Sequence, residues 1–314
     1  MKECDKIAVC ISTYNRPLGL ERLLISLSRL EFNKTPTPNW WIVVADNNTN
    51  MPVKGLIDSI RLDFPVVIQY GLEPRKGIPS ARNLAVKLAG EVDFIAFIDD
   101  DEVAAPNWLD ELLYVQNLYH ADVVRGPVIA RFEEKEPQWV KKGGFYERPR
   151  YSTGTTLEYI ALATGNVLIK HKWLQIVHGP FDEDMNLSGG SDTLFFAQIS
   201  KLGAKFFWAD TACVWEYQPP SRVSARWLIM RSFRTGIATS IVHRKVFKSF
   251  MTIMIRILKS IIRFLIGVFL LIPLSFIYGF AGTIRGLRMI TQGCGEIGGF
   301  LGIRYLEYKN VHGS

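Results

Sequence analysis

The stretch Phe94-Ile-Ala-Phe-Ile-Asp-Asp-Asp-Glu102 decides how the rest of the chain is read. An apolar run that stops at three aspartates and a glutamate reads as a buried strand ending at a polar edge, although so short a run also fits a buried helix. As a strand, it delivers its carboxylates to the loop past its carboxyl end, which is where open α/β sheets bind ligands. Asp99 and Asp101, one residue apart, can converge on one divalent cation. Mg²⁺ is typically held by one or two carboxylates plus substrate phosphates. Taken alone, the three aspartates fit equally well a solvated turn capping a helix that starts near Pro106.

Working outward, the flanking segments alternate between strand and helix. Residues 7–13 and 40–46 read as buried strands, the second ending in Asp46, and 66–70 as a third. Between them, Leu20, Leu23, Leu24, Leu27 and Leu30 recur at helical spacing, and residues 53–64 and 79–88 also read as helices. Pro106 opens a further helix to Leu118. This alternation predicts βαβ units and a mostly parallel sheet. Further on, 123–132 reads as a strand, 133–151 as a polar surface loop and 162–169 as mixed turn and strand. Residues 194–202 form an amphipathic helix ended by Gly203, and 206–208 and 212–215 are short strands.

Charge divides the chain. Residues 1–216 carry 23 Lys/Arg against 28 Asp/Glu, whereas residues 217–314 carry 14 against 2, within a net charge of +7. No acidic residue occurs from Tyr217 to Gly295. Such a split calls for a negative partner at the C-terminal end, membrane lipid or nucleic acid. Cys4, Cys10, Cys213 and Cys294 form no paired motif, so nothing suggests a disulfide framework and a reducing compartment is favoured. The first apolar run is too short for a secretory signal.

Six short motifs occur in one order: Ser12-Thr-Tyr-Asn-Arg-Pro17, Val44-Ala-Asp-Asn-Asn48, Ala81-Arg-Asn83 within residues 77–83, Asp99-Asp-Asp101, Thr164-Gly-Asn-Val-Leu-Ile169, and Gly190-Ser-Asp192 before a helix and Leu202-Gly203. Over residues 6–236 this order resembles the family 2 glycosyltransferases, in particular bacterial exopolysaccharide glucosyltransferases of the succinoglycan type. The resemblance implies a GT-A fold, a Rossmann-like α/β domain, and single-step inversion at a sugar carbon. It implies that Asp101 binds Mg²⁺ or Mn²⁺ and that Asp99 contacts the donor ribose or the metal shell. Thr13, Asn15 and Arg16 would line the base and ribose pocket, Asp46 would accept from a uracil ring, and Arg82 would bring positive charge to a UDP-sugar. Asp192 would be the base, although its position also suits a helix N-cap. Gly165 and Asn166 would face the acceptor. The family often has Glu-Asp where this chain has Ser191-Asp192, and many members have histidine near Glu216. Glu216 would then be an extra metal ligand, an acceptor contact or an exposed strand end. Among Arg222, Arg226, Arg231 and Arg234, one or two would close over the diphosphate.

In the tail, Arg244, Lys245, Lys248, Arg256, Lys259 and Arg263 fall on one helical face, opposite Phe250, Ile253, Met254, Ile257, Leu258 and Ile261. Residues 237–263 therefore predict a basic interfacial helix for anionic lipids. Residues 264–284 are 21 uncharged positions, about the 20 needed to cross a bilayer. Pro273 near their middle allows a re-entrant hairpin instead. The preceding cations put the N-terminal side in the cytoplasm. Residues 285–314 form a Gly-rich tail with no assigned structure. Membrane docking explains the charge split without nucleic acid. The expected activity is transfer of one sugar to a polyprenyl-diphosphate-linked or other lipid-linked acceptor. A sugar nucleotidyltransferase and a non-catalytic nucleotide-sugar-binding subunit are the alternatives.

Overall fold

The computed structural model describes residues 4–177, 179–186, 188–303 and 305. Residues 1–3, 178 and 187 of the expected catalytic domain, and residues 304 and 306–314 of the expected tail, lie outside the described residues.

The N-terminal half alternates as its periodicity predicts: β1 (Lys6–Thr13), α1 (Pro17–Leu27), β2 (Asn39–Asp46), α2 (Lys54–Ile60), β3 (Ile68–Leu72), α3 (Ile78–Ala89) and β4 (Phe94–Phe97). The four strands pair in parallel in the order β3-β2-β1-β4. Strand β1 is central because both its faces are apolar: Ile7, Val9 and Ile11 face one core layer, Ala8 and Cys10 the other. The leucines at 20, 23, 24 and 27 put one stripe of α1 fully into the first layer. Each contributes about 1.5–3 kcal/mol by leaving water.

Past the carboxylate turn the chain supplies β5 (Glu102–Ala104), α4 (Trp108–Tyr119), β6 (Val123–Arg125), β7 (Val128–Phe132), α5 (Gln138–Gly143), β8 (Val167–Lys170), α6 (His171–Ile176), α7 (Ser191–Lys201), β9 (Phe206–Trp208) and β10 (Val214–Gln218). Strands β8, β6 and β9 extend the main sheet to seven strands, with β8 antiparallel to both its neighbours. Strands β5, β10 and β7 form a second, three-stranded sheet. The single strand expected over 123–132 is therefore two. Gly126 and Pro127 interrupt it, and β6 and β7 join different sheets. The loop expected over 133–151 contains the short helix α5.

Three long helices complete the molecule: α8 (Ala225–Val246), α9 (Phe250–Tyr278) and α10 (Phe280–Phe300). The helix expected over 237–263 is divided at residues 247–249. Lys201 Nζ donates to the Val246 carbonyl at 3.2 Å, and Lys245 pairs with Asp182, so the end of α8 is tied to the catalytic domain. The chain then reverses into α9. Gly279, at φ +63°, reverses it again into α10. The Gly-rich region is helical because its glycines are contact points. Gly282, Gly286 and Gly293 let α10 approach α9, while Gly295 and Gly299 let it approach α8. Small residues permit such close helix contacts. Helix α9 is long and apolar enough to cross a membrane, and only 11% of its most apolar window is buried.

Candidate active site

The carboxyl ends of β1 and β4 and the turns after them open onto a cavity of about 560 Å³, whose far wall comes from α7, α8 and α9. Its floor is the turn 99–102. Asp100 is buried, receiving Thr13 Oγ1 at 2.9 Å and Arg16 Nη1 at 2.8 Å. Arg16 also donates to Asp101 at 2.9 Å. Gly19 permits this junction, because a Cβ there would stand 2.6 Å from the Asp100 carbonyl oxygen. Asp101 accepts a second guanidinium, Arg222 Nη1 at 2.9 Å. Burial alone would raise the Asp101 pKa, but Arg222 and Arg16 together hold it below the ordinary carboxylate range.

Asp99 turns toward the cavity, with Arg82 Nη2 at 3.4 Å from its Oδ1. Enclosure away from bulk water, with Asp101, Asp100 and Glu216 nearby, outweighs Arg82 and pushes Asp99 up to about 6. Behind it, Glu102 is buried and accepts the Asp99 backbone N–H at 3.0 Å. Burial first, then the Asp99 and Glu216 charges, raises Glu102 well above its usual value. Glu216, on β10, receives Arg148 at 2.5 Å, with Arg222 at 3.8 Å. Its side chain is 12% exposed, so it is enclosed in the site and not a free strand end.

Gly165 lines the cavity where a Cβ would meet Glu102 Oε1 at 2.7 Å and Asp99 Oδ2 at 3.1 Å. Only hydrogen leaves room for both carboxylates there. Asp192 lies in the first turn of α7, after Gly190 at φ +91°, and reaches the same cavity. Its Oδ1 accepts the Thr193 backbone N–H at 2.8 Å. From α8 come Trp227, Arg231 and Arg234, with the Arg231 guanidinium 4.7 Å from the Trp227 ring centre.

The cavity thus brings together Thr13, Arg16, Arg82, Asp99, Asp101, Gly165, Asp192, Glu216, Arg231 and Arg234. Three other expected site residues have structural roles outside its lining. Asp46 is fully buried and closes the turn after β2, accepting Asn48 N at 2.9 Å, Val53 N at 2.8 Å and Tyr70 Oη at 3.0 Å. A base contact by Asp46 would compete with these bonds. From the same turn it is Asn47 that lines the cavity. Asn166, at φ +56°, accepts Trp108 Nε1 at 2.7 Å and donates to the Pro127 and Ala212 carbonyls at 2.9 and 2.7 Å. All this bonding faces the protein interior. Asn15, also at φ +56°, shapes the turn into α1.

Sequence reasoning missed Glu102, Arg148, Arg256, Arg263 and Gln292. Glu102 stood in the opening stretch, and its placement one residue past the aspartates was the available signal. Arg148 came from a segment read as solvated loop. Arg256 and Arg263 were assigned to a lipid-facing cationic stripe, yet both line the cavity.

Among the described residues, no three carboxylates, histidines or cysteines are grouped as a ready-made ligand set. The donor chemistry nevertheless suits a hard cation. Asp99, Asp101 and Glu216 bring carboxylate oxygens to one cavity; Asp101 Oδ2 is already paired with Arg16 and Arg222, which leaves its other oxygen, Asp99 and Glu216 as the groups that would hold a cation.

The Glycosyl transferase family 2 profile matches residues 8–174. The succinoglycan biosynthesis protein ExoM of Rhizobium meliloti is 32% identical over 231 residues, covering 73% of this chain and 72% of that protein. Among solved structures, residues 1–349 of S. aureus TarS in complex with UDP superimpose with a TM-score of 0.54 at 16% identity, covering 96% of this chain and 93% of that one. The complex of the same fragment with UDP-GlcNAc gives 0.52 at 16% identity, covering 95% and 92%. The TarS likeness shows a shared GT-A fold. With the profile match and the ExoM relationship, it follows that the chain belongs to glycosyltransferase family 2 and is a glycosyltransferase whose relatives act in polysaccharide biosynthesis.

Proposed function

We propose that this enzyme moves one sugar, with inversion, from a UDP-sugar to a lipid-linked saccharide, assisted by a divalent cation, at the cytoplasmic face of a membrane. The observation that carries the reading is the convergence of Asp99, Asp101 and Asp192 on one cavity together with Thr13 and Arg16. In the donor-bound enzyme, Thr13 and Arg16 line the nucleoside end, and Arg82 lies beside Asp99. Asp101 and Asp99, with Glu216 adjoining, would hold Mg²⁺ or Mn²⁺, which when bound supplies Lewis-acid neutralisation of the leaving diphosphate.

Asp192 takes the proton of the attacking acceptor hydroxyl. The new bond forms between that oxygen and the sugar's anomeric carbon. The bond to the diphosphate oxygen breaks, and UDP leaves with its electron pair. Arg222, already on Asp101, is within the same site to meet the developing diphosphate charge. Membrane attachment is supported by α9, whose outward side exposes Phe250, Leu258, Leu265, Phe269, Ile272 and Phe276. The hairpin tip is held against the catalytic domain by Phe280 on Trp139 and by Arg285 on the Gly143 carbonyl. This geometry favours α9 lying in the plane of the membrane interface, like an amphipathic anchor.

The test uses detergent-purified full-length protein, a panel of nucleotide sugars, a bacterial lipid extract, and Mg²⁺ or Mn²⁺. Released UDP and sugar incorporated into lipid are measured with and without EDTA. Cation-dependent UDP release coupled to lipid labelling is expected. Pyrophosphate as the released product, or labelling insensitive to EDTA, would overturn the reading or its metal component respectively.

A further inference from the structure

We infer that the end of the cavity formed by α8 and α9 is a second anion site, which binds the phosphate or diphosphate of a membrane-embedded acceptor separately from the donor's diphosphate. This rests on the transfer reaction proposed above and adds where the acceptor's charged group is held.

Arg256 and Arg263 reach the cavity from α9, and Arg231 and Arg234 line it from α8. Glu296, the first acidic residue after Glu216, answers Arg256 and Arg263 from α10. It is fully buried, lies 3.1 Å from Arg256 Nη2, and is also bonded to Arg263 and Ser260. Arg256, Ser260 and Arg263 are spaced i, i+4, i+7, so they share one face of α9. Glu296 thus holds two arginines on one side of the helix, toward the cavity and away from the lipid face. One carboxylate cannot use the ten N–H donors of two guanidiniums. The Nε–H of Arg256 is buried with no hydrogen-bond partner among the described residues. Such a group is costly unless a ligand completes it. Arg231, buried and beside Arg234, Glu216, Arg148 and Arg222, stands between the two ends of the cavity. Around Glu296, two guanidiniums face one carboxylate.

The other face of α9 specifies the rest of the ligand. Met254, Ile255, Leu258 and Ile262 lie on the opposite side of α9 and are 46%, 47%, 57% and 46% exposed. The arginine face thus lies one helix width from the apolar face read above as the membrane contact, so an anion that reaches Arg256 and Arg263 from the membrane side is one carried on a lipid. That combination fits a phosphate ester of a long hydrocarbon and does not fit a second free nucleotide. The donor's diphosphate, by contrast, is proposed at the Asp99–Asp101 end, where a bound divalent cation would offset the like charges.

The test measures binding of farnesyl diphosphate, inorganic pyrophosphate and farnesol to full-length protein in detergent, with UDP affinity measured alongside. Farnesyl diphosphate should bind more tightly than either fragment. Arg256→Gln and Arg263→Gln should each weaken it by about tenfold, the scale of a lost charged hydrogen bond, and leave UDP affinity within twofold. Arg256→Lys should recover part of the loss. Arg234→Gln, on the other helix, gives a second reading if an α9 variant loses its fold by melting or circular dichroism. Unchanged farnesyl diphosphate binding in the folded variants would overturn the inference. Pyrophosphate binding as tightly as farnesyl diphosphate would overturn its lipid component. Loss of UDP binding by the wild-type protein, with farnesyl diphosphate still bound, would break the donor reading and leave this site supported.

Discussion

The two ends of the cavity are opposite in charge and are built by different means. At one end, Asp99, Asp100, Asp101 and Glu102 follow one strand, β4, parallel to β1 and antiparallel to β8, and the sheet places them by strand register. At the other, Arg256 and Arg263 are set by the packing of α9 on α10, whose glycines also bring α8 alongside. At the acidic end the carboxylates are met by Arg16, Arg82, Arg148 and Arg222, and it is there that the proposed cation would bind. At the basic end two guanidiniums share the single carboxylate of Glu296. The proposed chemistry therefore lies at the rigid sheet edge, and the proposed acceptor capture at a helical wall whose outer helix, α9, is apolar enough to cross a membrane.

The largest expected effect tests whether chemistry belongs to the sheet-edge end and its facing helix. Asp192→Asn keeps the shape of the α7 N-terminus and its bond to Thr193, since an amide oxygen accepts as a carboxylate does. It removes the proton acceptor. A fall in kcat of roughly 10²–10⁴ is expected, with UDP affinity unchanged by calorimetry. Turnover retained within tenfold would move the base to another residue and dissolve the assignment.

Next in size is removal of the counterweight at the basic end. Glu296→Gln strips the buried charge that holds Arg256 and Arg263. Breaking a buried pair costs about 3–5 kcal/mol; the partial exposure of both arginines brings the expectation to roughly 2–3 kcal/mol in denaturant melts. The loss should appear in the α8–α10 layer, as faster amide exchange there, while the main sheet keeps its protection. Uniform loss across both would show the two ends to be one cooperative unit and not two.

How much of this was legible beforehand follows the same division. Strand periods, leucine spacing in α1 and the carboxylates after β4 are local signals, so the α/β fold and the position of Asp99 and Asp101 past a strand end could be read from sequence; Asp192 came from the family resemblance, and the fold brings it to the same cavity. The Gly165-Asn166 pair was visible as a motif, but its meaning was not. Gly165 is required by the clearance beside Glu102, and Asn166 by three hydrogen bonds to positions distant in sequence. Asp46 was read as a ligand contact because a strand-end aspartate carries the same local signal whether it faces a cavity or closes a turn. Arg256 and Arg263 were missed because a cationic stripe at helical spacing looks alike whether it meets lipid or a buried glutamate. Only the pairing with α10 separates the two.

A smaller effect probes the tight contact at the acidic end. Gly165→Ala places a methyl 2.7 Å from Glu102 Oε1. Overpacking of this kind costs about 1–3 kcal/mol. The relaxation available is a shift of Glu102 and Asp99, so kcat should fall more than thermal stability does. The double variant Gly165→Ala, Glu102→Gln should not recover activity, because the glutamine side chain occupies the same volume; Glu102→Ala in the same background should recover stability in part.

The smallest effect on stability, and the clearest on location, is expected on the outer face of α9. Leu258→Asp and Phe269→Asp change positions that are 57% and 79% exposed, so melting should shift by no more than about 0.5 kcal/mol. If α9 lies in the membrane interface, each carboxylate is forced toward acyl chains and repelled by anionic headgroups, and binding to phosphatidylglycerol vesicles should fall in a flotation assay. The two positions also distinguish insertion geometries. In the interfacial orientation both face the same lipid plane and should act alike. In a spanning orientation Phe269 would stand near the middle of the bilayer and Leu258 near its edge, so the Phe269 variant should be far more damaging. Equal losses support an anchor pressed flat by the Trp139–Phe280 contact and the Arg285 bond to Gly143; unequal losses would detach the hairpin from the domain and turn α9 across the membrane.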